Sequence, residues 1–381
     1  MSRIANLNKL QDLAVQLVGE QGTLQIATGV GKSFISLKWL LKYVPVNSTV
    51  IFWGETTTRE QTLYEEIAKF KSLYNKDISK LYQVEFRCYQ SGYKEATAHI
   101  YDEVDFAISP EYSKCLEGTE KYKLGITATI PNTLFNPLDE FSILTKPQYI
   151  ESKLPVKYTY TRNEGIADGI LSPFELHVVE YMLDNNTKYL NGGTKAKEVM
   201  VTEYSYNDKF NKGRMNFAMP VYYKKFCGMK LTALFNNPIE SIKESAIRLI
   251  SKLEGKTIVF ATSIDLLEVV LKENIVSNRN TASVNKTIID NFNKGIIKNI
   301  GSFKMLQRGI TLEGVENIVI LSYYSKEHLF DQMLGRVIRF VENKTAKCYI
   351  YKCPNTLQEK WFNTMIDENI ETKSIIYYKN T

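Results

Sequence analysis

Cysteine is scarce in this chain. Five residues in 381 (Cys88, Cys115, Cys227, Cys348 and Cys353) are scattered and odd in number. That excludes a disulfide-stapled scaffold and points to a reducing compartment, most simply a cytoplasm. Cys348 and Cys353 form one loosely spaced pair with no histidine nearby, which does not make a zinc site. No apolar run approaches the roughly 18 residues a membrane-spanning helix needs, so no membrane partner is expected. The opening stretch MSRIANLNKLQDLAVQLVGE carries Asp12 and Glu20 and lacks the continuous apolar segment of a signal peptide. Repeats, low-complexity tracts and long single-sign charge blocks are also missing. With 44% apolar and 24% charged residues, the chain is neither collagen-like nor disordered.

What is present is enough for about two domains, at roughly 100–200 residues each. Lys and Arg number 48 against 42 Asp and Glu, a net charge of +6, which permits binding to a polyanion without demanding it. A β/α rhythm runs along the chain. Short apolar runs such as GTLQIA, STVIFWG, QVEFRCY, AHIYDEVD, YKLGITATI, KTIVFAT, ENIVILS and AKCYIYKC are bounded by turn residues and read as buried strands. Amphipathic stretches at 32–42, 59–74 and 237–253 lie between several of them. Strands alternating with helices imply an α/β fold of mostly parallel sheets covered on both faces. The alternation occurs twice, which predicts domains over 1–170 and 171–381, joined near Gly169–Pro173. The weakly periodic stretch 185–225 reads as an irregular excursion of the second domain.

Three segments carry chemistry. Ala27, Thr28, Gly29, Val30, Gly31, Lys32 and Ser33 follow a strand and open a helix. The glycines let backbone N–H groups turn toward phosphate oxygens, and the helix N-terminus favours negative charge. Lys32 would reach the β- and γ-phosphates of ATP, and the Ser33 hydroxyl would ligate Mg²⁺. The first glycine of the GxxxxGK[ST] pattern is absent, Ile26 and Ala27 occupying that region, so the loop is a shorter TGxGKS form. In the second segment, Asp102, Glu103, Val104 and Asp105 follow the strand Ala98–Tyr101, where an α/β sheet places its active site. Asp102 is a candidate Mg²⁺ ligand and Glu103 a candidate base for the attacking water. In the third, Gln332, Arg336 and Arg339 fall at spacings of four and three, on one helix face. Arginine suits a transferring phosphoryl group because its planar fork stays charged and donates several hydrogen bonds.

In this order the segments resemble superfamily-two helicases and translocases, particularly the small versions found in phages and mobile elements. The phosphate loop matches motif I, Asp102–Asp105 matches motif II (DExD/H) and Thr127-Ala128-Thr129 matches motif III (SAT). Ile258–Ser263 looks like motif IV, Arg308–Gly314 like motif V, and Gln332–Arg339 matches motif VI (QxxGRxxR). The resemblance covers nearly the whole length and implies two tandem RecA-like domains with ATP in a cleft between them. It also implies that Arg336 and Arg339 act as arginine fingers with Gln332 beside them, that Gly309 belongs to the nucleotide site, and that Thr127 and Thr129 couple hydrolysis to nucleic-acid binding. Gln11 lies where relatives place an adenine-reading glutamine; a surface helix position is the alternative. Asp105 in place of histidine leaves the subgroup open.

The implied activity is that of an ATP-dependent DNA helicase or translocase in replication, recombination or repair. An RNA-stimulated ATPase, or a nucleotide-switched binding module with little hydrolysis, is the alternative. For the nucleic-acid backbone the resemblance offers Thr57 and Arg59 (motif Ia), Tyr89, Gln90 and Ser91 (motif Ib), and Thr262, Ser263, Lys304 and Thr311 in the second domain. Tyr222–Lys225 could stack bases or form an amphipathic helix face. The chain is expected to act as a monomer, or with transient partners.

Overall fold

The computed structural model describes residues 3–136, 138–139, 143–183, 185–186, 188–194, 197–202, 204–205, 208, 240–303, 312–323, 330, 333–335, 345–356, 358–363 and 375–379. The chain forms two compact units, one over Met1–Pro173 and one that begins at Phe174.

In the first unit, strands β1 (Gln21–Ile26), β2 (Thr49–Gly54), β3 (Gln83–Cys88), β4 (Ala98–Asp102), β5 (Tyr122–Thr127) and β6 (Val156–Tyr160) alternate with helices. These are α1 (Arg3–Val18), α2 (Lys32–Tyr43), α3 (Thr58–Tyr74), the single turn α4 (Ile78–Leu81), α5 (Lys146–Lys153) and α6 (Arg162–Ala167). The strand order is β3-β2-β4-β5-β1-β6, and every ladder is parallel. Buried on both faces, these strands read as continuous apolar runs; Val50, Ile51 and Trp53 of β2 are fully buried. One face packs Trp53, Tyr101, Val104, Ile108 and Ile150 together. On the helices, Trp39 is fully buried and its indole N–H donates to the Gly19 carbonyl (2.7 Å). Phe34 meets Phe70 edge-on at 5.5 Å, joining α2 to α3.

The second unit contains β7 (Phe174–Glu180), β8 (Tyr189–Thr194), β9 (Lys197–Val201), β10 (Lys256–Phe260), β11 (Ile275–Val276), β12 (Asn299–Ser302), β13 (Val315–Ile320), β14 (Ala346–Lys352) and β15 (Ile375–Lys379). Its described helices are α7 (Glu240–Lys252), α8 (Ile264–Leu271) and α9 (Ala282–Asn293). The main sheet, ordered β11-β12-β10-β13-β14-β7-β15, is also parallel throughout. Its core gathers Ile242, Ala246, Val259, Leu266, Leu267, Val319 and Tyr351. Strands β8 and β9 pair antiparallel inside the stretch read as irregular from sequence. Their register shifts between Leu190 and Gly193, at the Gly-Gly pair, which accounts for the weak periodicity there.

Candidate functional site

Parallel strands deliver their C-terminal ends to one edge of the sheet, and in the first unit the chemistry collects there. The β1–α2 loop turns through Gly29 (φ +96°) and Gly31 (φ +77°), both in the left-handed region that glycine enters without penalty. Helices α5, α6, α8 and α9 are capped by the hydroxyls of Thr145, Thr161, Ser263 and Thr281, whereas α2, which starts at Gly31, has no side-chain cap, and neither do α3 and α4. The Phe34 and Ile35 N–H groups bond the Gly31 carbonyl, and no side chain covers the end of α2 where an anion would sit.

Gln11, on α1, is buried against this loop and its amide donates to the Val30 carbonyl (3.2 Å). The amide oxygen is buried with no hydrogen-bond partner. A Cβ on Gly31 would come within 2.8 Å of the Gln11 nitrogen, so the glutamine also fixes the shape of the loop.

Strand β4 ends in the acidic turn. Glu103 there holds φ +52°, uncommon for a residue with a side chain, and strain of this kind is concentrated at functional sites. Glu103 Oε1 lies 2.7 Å from Lys32 Nζ, so the loop lysine is paired with the candidate base. Asp105 is buried and accepts from the Thr127 hydroxyl (2.8 Å). That hydroxyl also lies 3.4 Å from Glu103 Oε2 and accepts from the Thr129 N–H (3.3 Å). Motif III, at the end of β5, is therefore bonded directly to the acidic turn.

Arg59 departs from the sequence expectation. Instead of facing outward for a nucleic-acid phosphate, its guanidinium turns into the site. Nε donates to Asp102 Oδ2 (2.5 Å), one Nη to the Ser33 hydroxyl (3.0 Å) and the other to Glu66 Oε2 (3.0 Å). Burial alone would lower the Arg59 pKa, but Asp102 and Glu66 outweigh it and hold the guanidinium charged above its ordinary value. Burial raises the Glu66 carboxyl above its usual range, with Arg59 opposing the shift. Sequence reasoning missed Glu66. The available signal was its spacing of seven from Arg59, two turns along the same face of α3.

Tyr89 is also turned inward. Its ring is buried, stacked on Trp53 with centroids 6.4 Å apart, and its hydroxyl donates to the Asp102 carbonyl (2.8 Å). Burial pushes the phenol well above its ordinary pKa. Tyr89 therefore supports the acidic turn, while Thr57, Gln90 and Ser91 are exposed.

In the second unit, the Thr262 N–H donates to the Ser322 hydroxyl (2.9 Å) and the two hydroxyls lie 2.8 Å apart. The Ser263 hydroxyl caps α8 by accepting from the Leu266 N–H (3.4 Å), so it is occupied by the helix. Gly309, Lys304, Thr311, Gln332, Arg336 and Arg339 lie outside the described residues, as does Tyr222–Lys225.

Ser33 and Asp102 are hard oxygen donors suited to Mg²⁺, and both are bonded to the same cation. They fit a divalent metal. Among the described residues no cluster of three or more His, Cys, Asp or Glu that could hold a metal occurs. No described helix is long and apolar enough to cross a membrane.

Residues 241–341 match the helicase conserved C-terminal domain family. Among solved structures, the chain is similar over its full length to the ATP-dependent Type ISP restriction-modification enzyme LlaBIII bound to DNA (16% identity, TM-score 0.61). It spans 31% of that chain. Over 99% of its length it is similar to S. cerevisiae Dbp5 bound to RNA and ADP BeF3 (13% identity, TM-score 0.56, 93% of that chain). The Pyrococcus furiosus Hef helicase domain matches over 93% of this chain and 97% of its own (13% identity, TM-score 0.52). No curated protein sequence matches. The chain shares the fold of these structures, tandem RecA-like α/β units each built on a parallel sheet flanked by helices.

Proposed function

We propose that this protein is an ATP-driven motor on DNA, a helicase or translocase serving replication, recombination or repair. One observation carries the reading: β1–α2, β4 and β5 converge so that Lys32 and Thr127 both reach Glu103, while beside them Arg59 joins Ser33 to Asp102. A phosphate cradle, a metal-donor pair, a base and a relay hydroxyl are what phosphoanhydride hydrolysis requires.

In this reading ATP occupies the uncapped N-terminus of α2 with its adenine toward Gln11, whose buried oxygen would accept from the exocyclic amine. Lys32 leaves Glu103 for the triphosphate. Glu103, released from its ion pair, orients the attacking water and takes its proton. Ser33 and Asp102 would hold Mg²⁺, which supplies charge neutralisation on the phosphates. Arg336 and Arg339, with Gln332, would complete the site from the second unit as fingers on the γ-phosphate. Thr127 senses the change at Asp105 and Glu103 and passes it through Thr129 toward the nucleic-acid face.

The test is steady-state ATPase activity with single-stranded DNA, duplex DNA and RNA. DNA should stimulate strongly, and Lys32→Ala and Glu103→Gln should abolish turnover. Stimulation by RNA alone, the nucleic acid bound to Dbp5 in its structure, would reassign the substrate. Tight nucleotide binding with no turnover under any condition would leave a nucleotide-switched binding module.

A further inference from the structure

We infer that Arg59 is a built-in stand-in for the divalent cation, holding the metal-donor pair and excluding metal until a nucleotide arrives. The inference rests on the nucleotide-site reading of the β1–α2 loop.

Nε and one Nη of a guanidinium form a fork of parallel donors. Here that fork takes Asp102 Oδ2 and Ser33 Oγ, the two oxygens suited to a metal, at 2.5 and 3.0 Å. The remaining Nη is bound to Glu66 at 3.0 Å, so the cation is anchored from behind by its own helix. The Arg59 side chain is nearly buried, at 16% exposure, and the Asp102 and Glu66 side chains are mostly covered. A divalent ion bridging Ser33 and Asp102 would sit against a fixed positive charge, and like charges at that separation repel strongly where water is scarce. The triphosphate brings negative charge that offsets this repulsion. Metal entry is then tied to nucleotide entry, and the arginine, at the start of α3 beside exposed Thr57, is withdrawn toward Glu66 two turns along the helix.

The experiment is Mn²⁺ binding to the full chain without nucleotide, read from the free-ion EPR signal, with fluorescent ADP binding measured in parallel. Arg59→Gln should bind Mn²⁺ about ten-fold or more tighter than wild type, since a neutral amide removes the repulsion. Arg59→Lys, which keeps the charge but cannot span both oxygens, should fall between them. Adding Asp102→Asn to Arg59→Gln should remove the gain. Equal Mn²⁺ affinity across the series, or a gain that survives Asp102→Asn, overturns the proposal. Should Arg59→Gln fail to fold, equality of Arg59→Lys with wild type overturns it alone. Unchanged Mn²⁺ affinity with weakened binding of single-stranded DNA would return Arg59 to the nucleic-acid face. Failure of wild type to bind fluorescent ADP would sink the nucleotide-site reading instead, a result distinct from the rest.

Discussion

Glu103→Gln should tighten nucleotide binding while stopping hydrolysis, and the size of both effects follows from the structure. Lys32 and Glu103 are 2.7 Å apart with side-chain exposures of 10% and 24%, so the pair is largely shielded from water. At an effective dielectric of about 20, unit charges at that distance attract by about 6 kcal/mol before desolvation. The cost of stripping water from both groups returns most of this, leaving about 1–2 kcal/mol that a nucleotide must overcome to capture the lysine. The amide keeps the shape of Glu103 but cannot hold Lys32 as an ion pair. Nucleotide affinity should therefore rise about 5- to 30-fold. Loss of the base should lower turnover by a factor of about 10²–10⁴. Titration with a fluorescent ATP analogue and a coupled ATPase assay read the two quantities on the same preparation. Unchanged or weaker ATP binding would refute the competition between Glu103 and the triphosphate. Turnover within about ten-fold of wild type would remove Glu103 from the role of base.

Gly31→Ala should weaken nucleotide binding about ten-fold with the far-UV spectrum unchanged. Its φ of +77° strains an alanine by about 1–2 kcal/mol, and the new Cβ displaces Gln11. Thr127→Val keeps the volume but removes the hydroxyl from Asp105. Loss of one bond to a buried charge should cost about 1.5–3 kcal/mol in thermal unfolding, and nucleic-acid stimulation of the ATPase should fall more than basal turnover. His99 is fully buried, accepts from the Trp53 indole (2.9 Å), and burial with Lys123 nearby lowers its pKa to about 4. Protons bind the unfolded chain first, so stability present above about pH 6.5 falls by about 3 kcal/mol as pH drops toward 4. Denaturant unfolding at several pH values should show that slope in wild type and a flatter one in His99→Gln; identical slopes would contradict the assignment. In a Cys227→Ser background, a thiol reagent should label Cys88 first. Cys115, Cys348 and Cys353 are buried, and burial raises the Cys115 thiol to about 12; mass spectrometry after brief labelling decides the order.

What could be read from the sequence was whatever depends on a few neighbouring residues. The apolar runs identified the strands because a parallel sheet buries both faces of each strand, as Val50–Trp53 shows. The β1–α2 turn was readable because it needs glycine at two positions and its helix opens on Lys32-Ser33. The acidic turn was readable because it terminates β4. Thr57–Arg59 and Tyr89 were harder, since each follows a strand and carries groups that suit a nucleic-acid phosphate. Whether such a side chain meets solvent or the site depends on which strands its neighbours join. α3 follows β2, β2 lies beside β4, and β5 separates β4 from β1. That order places the face shared by Arg59 and Glu66 against the ends of β4 and the phosphate loop. It is set by pairings between residues far apart in the chain, such as Gln21 with Lys123. The heptad spacing says that the arginine and glutamate share a face; only the long-range order says that the face looks toward Asp102 and Ser33. The same distinction bears on the competition argued for Glu103. Two basic side chains, Lys32 from the loop and Arg59 from α3, hold the adjacent carboxylates Glu103 and Asp102. Neither pairing is encoded locally, and in the proposed function both open when the triphosphate binds with its metal.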